Sequence, residues 1–150
     1  MKVITKNKKA YFNYELLETL ESGISLLGSE VKSVREGRVS LKESYAEIRG
    51  GEVFLLGCHI SQYEAANRLN HDPLRERKLL LHRREIKRWT GKIKERGFTL
   101  VPTRMLFSDR GLVKVELALA KGKKVHQKRE VIRERDRDRE MRREMKQFQG

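Results

Sequence analysis

Apolar and polar positions alternate in short periodic runs as far as about residue 120, and beyond that the pattern dissolves into charge. Residues 11–21 place Phe12, Tyr14, Leu16 and Leu20 on one parity, interrupted by Leu17 on the other, and Ser22-Gly23 then precedes Ile24-Ser25-Leu26-Leu27. This reads as a β-hairpin, with a helix as the alternative. From Ser29 the period changes: Val31 and Val34 lie three apart, Ser29 can cap and Gly37 follows, which predicts a short helix over residues 30–36. Gly50-Gly51 sits between the strand-like Ala46-Glu47-Ile48-Arg49 and Glu52-Val53-Phe54-Leu55-Leu56 and predicts a hairpin, because both glycines reach positive φ at little cost.

A polar loop follows and ends at Asn70-His71-Asp72-Pro73, where Pro73 biases Asp72 away from helix. A helix is predicted over residues 82–96, with Ile86, Trp89 and Ile93 as its buried stripe and Gly97 as terminator. Strands are predicted over 98–107 and 112–120, turning at Asp109-Arg110-Gly111. In the second, Val113, Val115, Leu117 and Leu119 share the inward parity while Lys114 and Glu116 face solvent. Pro102 marks an edge or a bulge, and Lys6-Asn7-Lys8-Lys9 forms a short basic arm ahead of the first apolar run. The expected fold is mainly β, a closed antiparallel OB-like barrel of about six strands with two or three flanking short helices, since closure removes exposed strand edges.

Residues 1–120 are expected to form this barrel and residues 121–150 a basic C-terminal tail. The tail carries few apolar side chains, and its favourable i, i+3 charge pairs are largely cancelled by like charges at i, i+4, so it is expected to be disordered when free and helical only when held. Met141, Met145 and Phe148, at i, i+4 and i+7, form an apolar stripe that an inert extension does not need.

Charge changes the picture most. The chain of 150 residues has 35 Lys+Arg against 21 Asp+Glu, a formal net charge of +14 and a pI near 10.2, with +8 in residues 1–120 and +6 in the tail. A length of this order accommodates one core and not two catalytic lobes. Excess charge on that scale points to a polyanionic partner, nucleic acid ahead of an anionic membrane. Residues 67–88, including Arg68, are the densest stretch at +5, and a helix would stack Arg84, Arg88 and Lys92 in one repelling row, so something anionic is expected opposite them. With no long apolar segment, no apolar leader and the single Cys58, the expected location is the cytoplasm, with no membrane contact.

Catalytic chemistry is hard to assemble. Cys58 and His59 are adjacent, so on a strand they point to opposite faces and form no dyad. His71 and His82 lack paired zinc-ligand spacing with Cys58, and there is neither a phosphate-cradling glycine loop nor a nucleophile elbow. A binding module is expected, without metal, cofactor or catalytic residues. The competing classes are a general OB-like rRNA-binding structural protein of the ribosome and an RNA-modifying activity built on Cys58 and the histidines.

Six segments resemble the small protein B family, the bacterial SsrA-binding (transfer-messenger RNA-binding) proteins. They are Lys6-Asn7-Lys8-Lys9-Ala10, Gly28-Ser29-Glu30-Val31-Lys32-Ser33, Asn70-His71-Asp72-Pro73, Arg75-Glu76-Arg77-Lys78-Leu79-Leu80-Leu81-His82, Gly97-Phe98-Thr99-Leu100-Val101-Pro102 and Leu119-Ala120-Lys121-Gly122-Lys123-Lys124. The resemblance implies a protein that catalyses no bond. It would bind the tRNA-like domain of transfer-messenger RNA (SsrA RNA) and bring it to the stalled ribosome for trans-translation. The tail would enter the decoding centre and the empty mRNA channel, and alanyl-tRNA synthetase and elongation factor Tu would act on the same RNA. Carried over by position, the RNA-facing residues are Lys6, Asn7, Lys9, Glu21, Lys32, Arg75, Arg77, Lys78, Leu80, His82 and Lys114. Those facing the ribosome are Gly122, Lys123, Lys124, His126, Lys128 and Arg129. Cations would meet phosphates, Leu80 an unstacked base, and Glu21 a base or 2′-hydroxyl donor. The chain departs from many members at Gln127, where they carry Asp.

Overall fold

The computed structural model of the protein describes residues 2–64 and 70–122. The expected tail disorder, and the roles given to Lys123, Lys124, His126, Lys128 and Arg129, lie outside the described residues, as does Arg68. In chain order the elements are β1 (Lys2–Lys6), α1 (Lys8–Asn13), β2 (Tyr14–Ile24), α2 (Gly28–Arg35), β3 (Val39–Ser40), β4 (Tyr45–Arg49), β5 (Glu52–Leu56), β6 (His59–Ile60), β7 (Arg77–Leu80), α3 (Arg83–Arg96), β8 (Thr99–Phe107) and β9 (Val113–Gly122).

All pairings in the main sheet are antiparallel, in the order β1-β8-β4-β5-β7-β2-β9, and β8 also pairs with β9. Six strands, β8-β4-β5-β7-β2-β9, therefore close into a ring, as the alternating pattern predicts. β1 lies beside β8, and β3 and β6 form a separate two-stranded ladder. The ring encloses Val53, Leu55, Leu79, Met105, Val115 and Leu117, all at most 1% exposed, and α3 adds Trp89 to the same cluster.

The Gly50-Gly51 hairpin forms as predicted, with φ of 57° and 75°, the positive values a two-residue turn of this hand requires. Helix α3 ends at Gly97 in the left-handed conformation, φ 66°, and buries Ile86 and Trp89 with Ile93 half-buried.

The expected hairpin near Ser22-Gly23 does not form: β2 is one continuous strand of 11 residues. The parity break at Leu17 is a bulge, since the pairing with β9 shifts register between Leu16 and Glu18. Gly23 is a place of close approach and not a turn. It pairs directly with Leu80, whose Cβ would lie 3.2 Å from a Cβ added at the glycine. The basic arm is likewise structured, as the end of β1 and the first turn of α1. Ala10 of α1 then covers Ala118, Ala120 and Val101 in a second small cluster, which is why the outward parity of β9 is not solvated along its whole length.

Helix α2 is capped differently from the sequence expectation. The Glu30 carboxylate accepts the Leu27 N–H at 2.8 Å, while the Ser29 hydroxyl turns to Nδ1 of His71, also at 2.8 Å. Pro102 sits at a changeover. β8 pairs with β4 through Leu100 but with β1 from Arg104 onward, and its pairing with β9 shifts register between Pro102 and Arg104. A proline fits here because no ladder hydrogen bond is demanded of it.

Candidate nucleic-acid interface

Strand alternation sorts the basic residues before any partner arrives. Around half of the ring the neighbours run β7-β2-β9-β8-β1. On the outer face of these strands one cross-strand row reads Glu21, Glu116, Arg104, Lys6, and the next reads Leu80, Gly23, Lys114. Four inter-strand steps of about 4.8 Å make this face about 19 Å across. Sequence positions as distant as Lys6, Glu21, Leu80 and Lys114 are thus brought onto one surface.

Within that surface, Glu21 stands directly opposite Glu116, a like-charge pairing that is unfavourable unless one acid is satisfied elsewhere. Arg104 supplies that relief through an ion pair with Glu116. Glu21 itself remains exposed and has no ion-pair partner among the described residues. A free carboxylate on a basic wall can accept hydrogen bonds from base amines or 2′-hydroxyls, and it repels phosphate. Beside it the missing side chain of Gly23 leaves a dip between Leu80 and Lys114, part of a groove of about 320 Å³ that Arg35 and Leu112 also line. Leu80 and Leu112 are 53% and 56% exposed, so apolar surface large enough to receive a base lies between cations. Arg35 and Leu112 were not legible as site residues, because Arg35 stands outside the dense basic stretch and Leu112 reads only as the start of a predicted strand.

Two expected contact residues are inside the body instead. Arg77 is fully buried, because β7 alternates and places Arg77 and Leu79 inward with Lys78 and Leu80 outward. Its Nε donates to Glu30, and its Nη atoms donate to the carbonyls of Cys58 at 2.7 Å and Pro73 at 3.2 Å. Asn7 is 4% exposed. It caps α1 through Oδ1, donates Nδ2 to the Pro102 carbonyl at 2.9 Å, and gives its backbone N–H to Thr103 at 2.7 Å, satisfying the carbonyls freed at the β8 changeover. Both side chains are buried and hydrogen-bonded within the body, away from any RNA-facing surface.

Arg75 is half-buried and pairs with Glu30 at 2.5 Å. Burial alone would raise the Glu30 carboxyl. Hydrogen bonds from Arg75, the Leu27 N–H and Arg77, with the Arg77 charge behind them, outweigh burial and hold it below the ordinary carboxylate range. Lys9 and Lys78 are exposed but carry carboxylate partners, Glu43 at 2.7 Å and Glu52 at 2.9 Å. Such surface pairs contribute at most about 1 kcal/mol and exchange readily for phosphate. Lys32 lies over the Tyr63 ring, 5.4 Å from its centroid, and His82 is exposed at the start of α3 with its N–H given to Glu85. Gly122 ends β9 on the surface.

The anionic partner expected opposite Arg88 and Lys92 is supplied by the chain itself. Glu18 of β2 pairs with both, at 3.1 Å for Lys92, and although burial pushes its carboxyl up, the hydrogen bonds of Lys92 and Arg88 bring it below its usual value. Cys58 is 1% exposed, and burial pushes its thiol up to about 11, so it is protonated at neutral pH. The His71 ring is fully engaged between Ser29 and the Ile60 carbonyl, which leaves no ring nitrogen for a metal. No group of three or more possible metal ligands exists among the described residues, and none of their helices is long and apolar enough to cross a membrane.

Comparison with known proteins agrees across nearly the whole length. The sequence model of the family described as SmpB protein matches residues 4–147. The SsrA-binding protein of Symbiobacterium thermophilum is 57% identical over 143 residues, covering 95% of this chain and 90% of that relative. That of Syntrophobacter fumaroxidans is 59% identical over 140 residues, covering 93% and 86%. A solved structure described as "tmRNA-SmpB: a journey to the center of the bacterial ribosome" aligns with a TM-score of 0.68 at 46% identity, covering 83% of this chain and 87% of that one.

Proposed function

Because the chain belongs to the SmpB family, whose match spans residues 4–147, we propose that it binds the tRNA-like domain of transfer-messenger RNA and delivers it to stalled ribosomes for trans-translation. The match over both barrel and tail is the observation that carries this reading. The outer face of β7-β2-β9-β8-β1 is its physical counterpart, with Lys6 and Lys114 for phosphates, Leu80 for an unstacked base and Glu21 for sugar or base donors. Lys9, Lys32, Arg75, Lys78 and His82 flank or extend this contact, and Lys9 and Lys78 exchange their carboxylates for phosphate on binding.

The tail, residues 121–150, acts separately. Gly122, at the end of β9, leads into it, and Lys123, Lys124, His126, Lys128 and Arg129 follow phosphate into the decoding centre and the vacant mRNA channel, where the segment becomes helical. The protein makes and breaks no bond itself. Alanyl-tRNA synthetase and elongation factor Tu act on the same RNA, and the site of action is the cytoplasm.

Deletion of residues 130–150 tests this division. RNA affinity is expected to remain near that of the full chain while tagging on stalled ribosomes is abolished, and loss of RNA binding on truncation would refute it. Sequencing the RNA that co-purifies at moderate salt tests the identity of the ligand. A full-length protein with no preference for tRNA-shaped RNA over random polyanions of equal charge would overturn the reading.

A further inference from the structure

Helix α3 carries cations on two flanks, and only one of them is neutralised within the protein. Taking 100° per residue, Arg88 and Lys92 lie on one side of the buried stripe of Ile86, Trp89 and Ile93, and both are held by Glu18. Arg83, Lys87 and Lys94 fall within about 40° of one another on the other side. None of these three has an ion-pair partner among the described residues. They form one wall of a groove of about 910 Å³, which runs between α3 and the Gly50-Gly51 hairpin with β7 as its floor. On the floor Lys78 is paired with Glu52 of the opposite wall, so the uncompensated charge of the groove comes from α3.

The groove is continuous with the face assigned to RNA above. Leu80 lines it and also lines the smaller groove beside Lys114 and Arg35. An RNA strand that places a base against Leu80 can therefore continue toward Lys114 or into this groove. The hairpin tip opposite α3 consists of two glycines, whose missing side chains keep the entrance open, with no atom within 4 Å of where either Cβ would stand.

We propose that this groove holds the phosphate backbone of the same RNA as it continues past Leu80, with Arg83, Lys87 and Lys94 as phosphate-binding residues. The proposal rests on the RNA-binding reading of the body and extends the footprint from one face of the barrel around β7 to α3. The row of cations on one helical flank matches a phosphate backbone and carries no base-specific geometry, so its contribution is to affinity and register and not to sequence choice.

The test is the full-length chain carrying Arg83→Gln, Lys87→Gln and Lys94→Gln together, with Arg88→Gln/Lys92→Gln on the paired flank as the control. Binding of the tRNA-like domain of transfer-messenger RNA is titrated at several salt concentrations. Thermal melting confirms that both variants fold. Each lost phosphate contact lowers the magnitude of the log–log salt slope by about 0.7 to 0.9, so the triple variant is expected to lose about 2 to 3 and to bind on the order of tenfold to a hundredfold more weakly at physiological salt. The control is expected to stay within about threefold of the unmodified chain, because its cations already have Glu18. Unchanged affinity and slope in the folded triple variant would overturn the proposal. So would unchanged binding of free RNA combined with loss of ribosome association, which would assign the groove to ribosomal RNA. If the unmodified chain itself failed to prefer the tRNA-like ligand, the function reading would fall, a result distinct from either of these.

Discussion

Glu30→Gln removes one carboxylate from a site where three donors converge on it. Oε1 accepts from the Leu27 N–H at 2.8 Å and from Arg75 at 2.5 Å, Oε2 accepts from Arg77, and both Glu30 and Arg77 are fully buried. Arg75 has a path to solvent, but Arg77 has none, so the amide leaves a buried guanidinium without its counter-charge. Breaking such a pair on one side costs about 3 to 5 kcal/mol. At roughly 4 °C per kcal/mol for a domain of this size, the melting temperature is expected to fall by about 12 to 20 °C. The Glu30 carboxyl is held below its ordinary value near 4.5, so the unfolded chain binds more protons there than the folded one. The contribution is complete above that ordinary value and disappears as pH drops through the lower folded value. Urea melts followed by circular dichroism from pH 7 to pH 3 should therefore show the two stability curves far apart at neutral pH and converging in acid. Replacing both partners, Glu30→Met with Arg77→Met, is expected to be less damaging than Glu30→Gln alone, since no uncompensated charge remains inside. A cost below about 1 kcal/mol for Glu30→Gln, or a gap to the unmodified protein that ignores pH, would refute the assignment of Glu30 as the anchor of this network.

Gly57→Ala is expected to cost more than Gly50→Ala in the same melts. Both have positive φ, but only at Gly57 would a Cβ stand 2.5 Å from a backbone carbonyl oxygen, that of Glu43, whereas Gly50 faces open space and loses about 1 kcal/mol from backbone strain alone. Cys58, with its thiol pushed up to about 11, should resist thiol reagents at pH 8 in the folded chain and react promptly in urea; rapid labelling without denaturant would contradict its burial. On the RNA face, Lys114→Ala should weaken binding across RNA sequences and reduce the salt slope by about 1, while Glu21→Gln should alter the preference between RNAs with little change in slope. Identical behaviour of the two variants in filter-binding titrations would argue against their different roles.

How much of this was legible in the sequence depended on the range over which each signal acts. The Gly50-Gly51 turn, helix α3 and the inward parity of β9 are local patterns, and all three form as the spacing predicts. The hairpin misplaced at Ser22-Gly23 failed because a glycine signals either a turn or a close approach, and only the pairing of Gly23 with Leu80, 57 positions away, distinguishes them. The basic run around β7 reads as one patch in the chain, yet the two-residue period sends Arg77 into the interior and Lys78 outward. That division could have been foreseen from Leu79 had the strand been assigned, since its neighbours on either side must then face outward. Asn7 offered no such cue. Its burial follows from the carbonyls freed where β8 changes partner, a consequence of tertiary pairing alone.

The division of charge inside the barrel bears on how steeply binding should respond to salt. The body carries an excess of +8, but its carboxylates are not spread evenly. Glu18, Glu30, Glu52 and Glu116 are placed against particular cations, which serve the fold or are neutralised at the surface. Among the cations without such partners in the described residues, Lys114 and Arg35 line the groove on one side of Leu80, with Lys6 in the neighbouring cross-strand row, and Arg83, Lys87 and Lys94 line the groove on the other. Counterion release counts only charges that meet phosphate, about 0.7 to 0.9 in slope for each. A body bound through these two clusters, with Lys9 and Lys78 exchanging their carboxylates for phosphate, should then show a slope of magnitude about 6 to 7, far below what the total of its basic residues would give. A measured slope near 10 for the chain lacking its tail would mean that the internal ion pairs open on binding, and the separation of structural from RNA-facing cations would not hold.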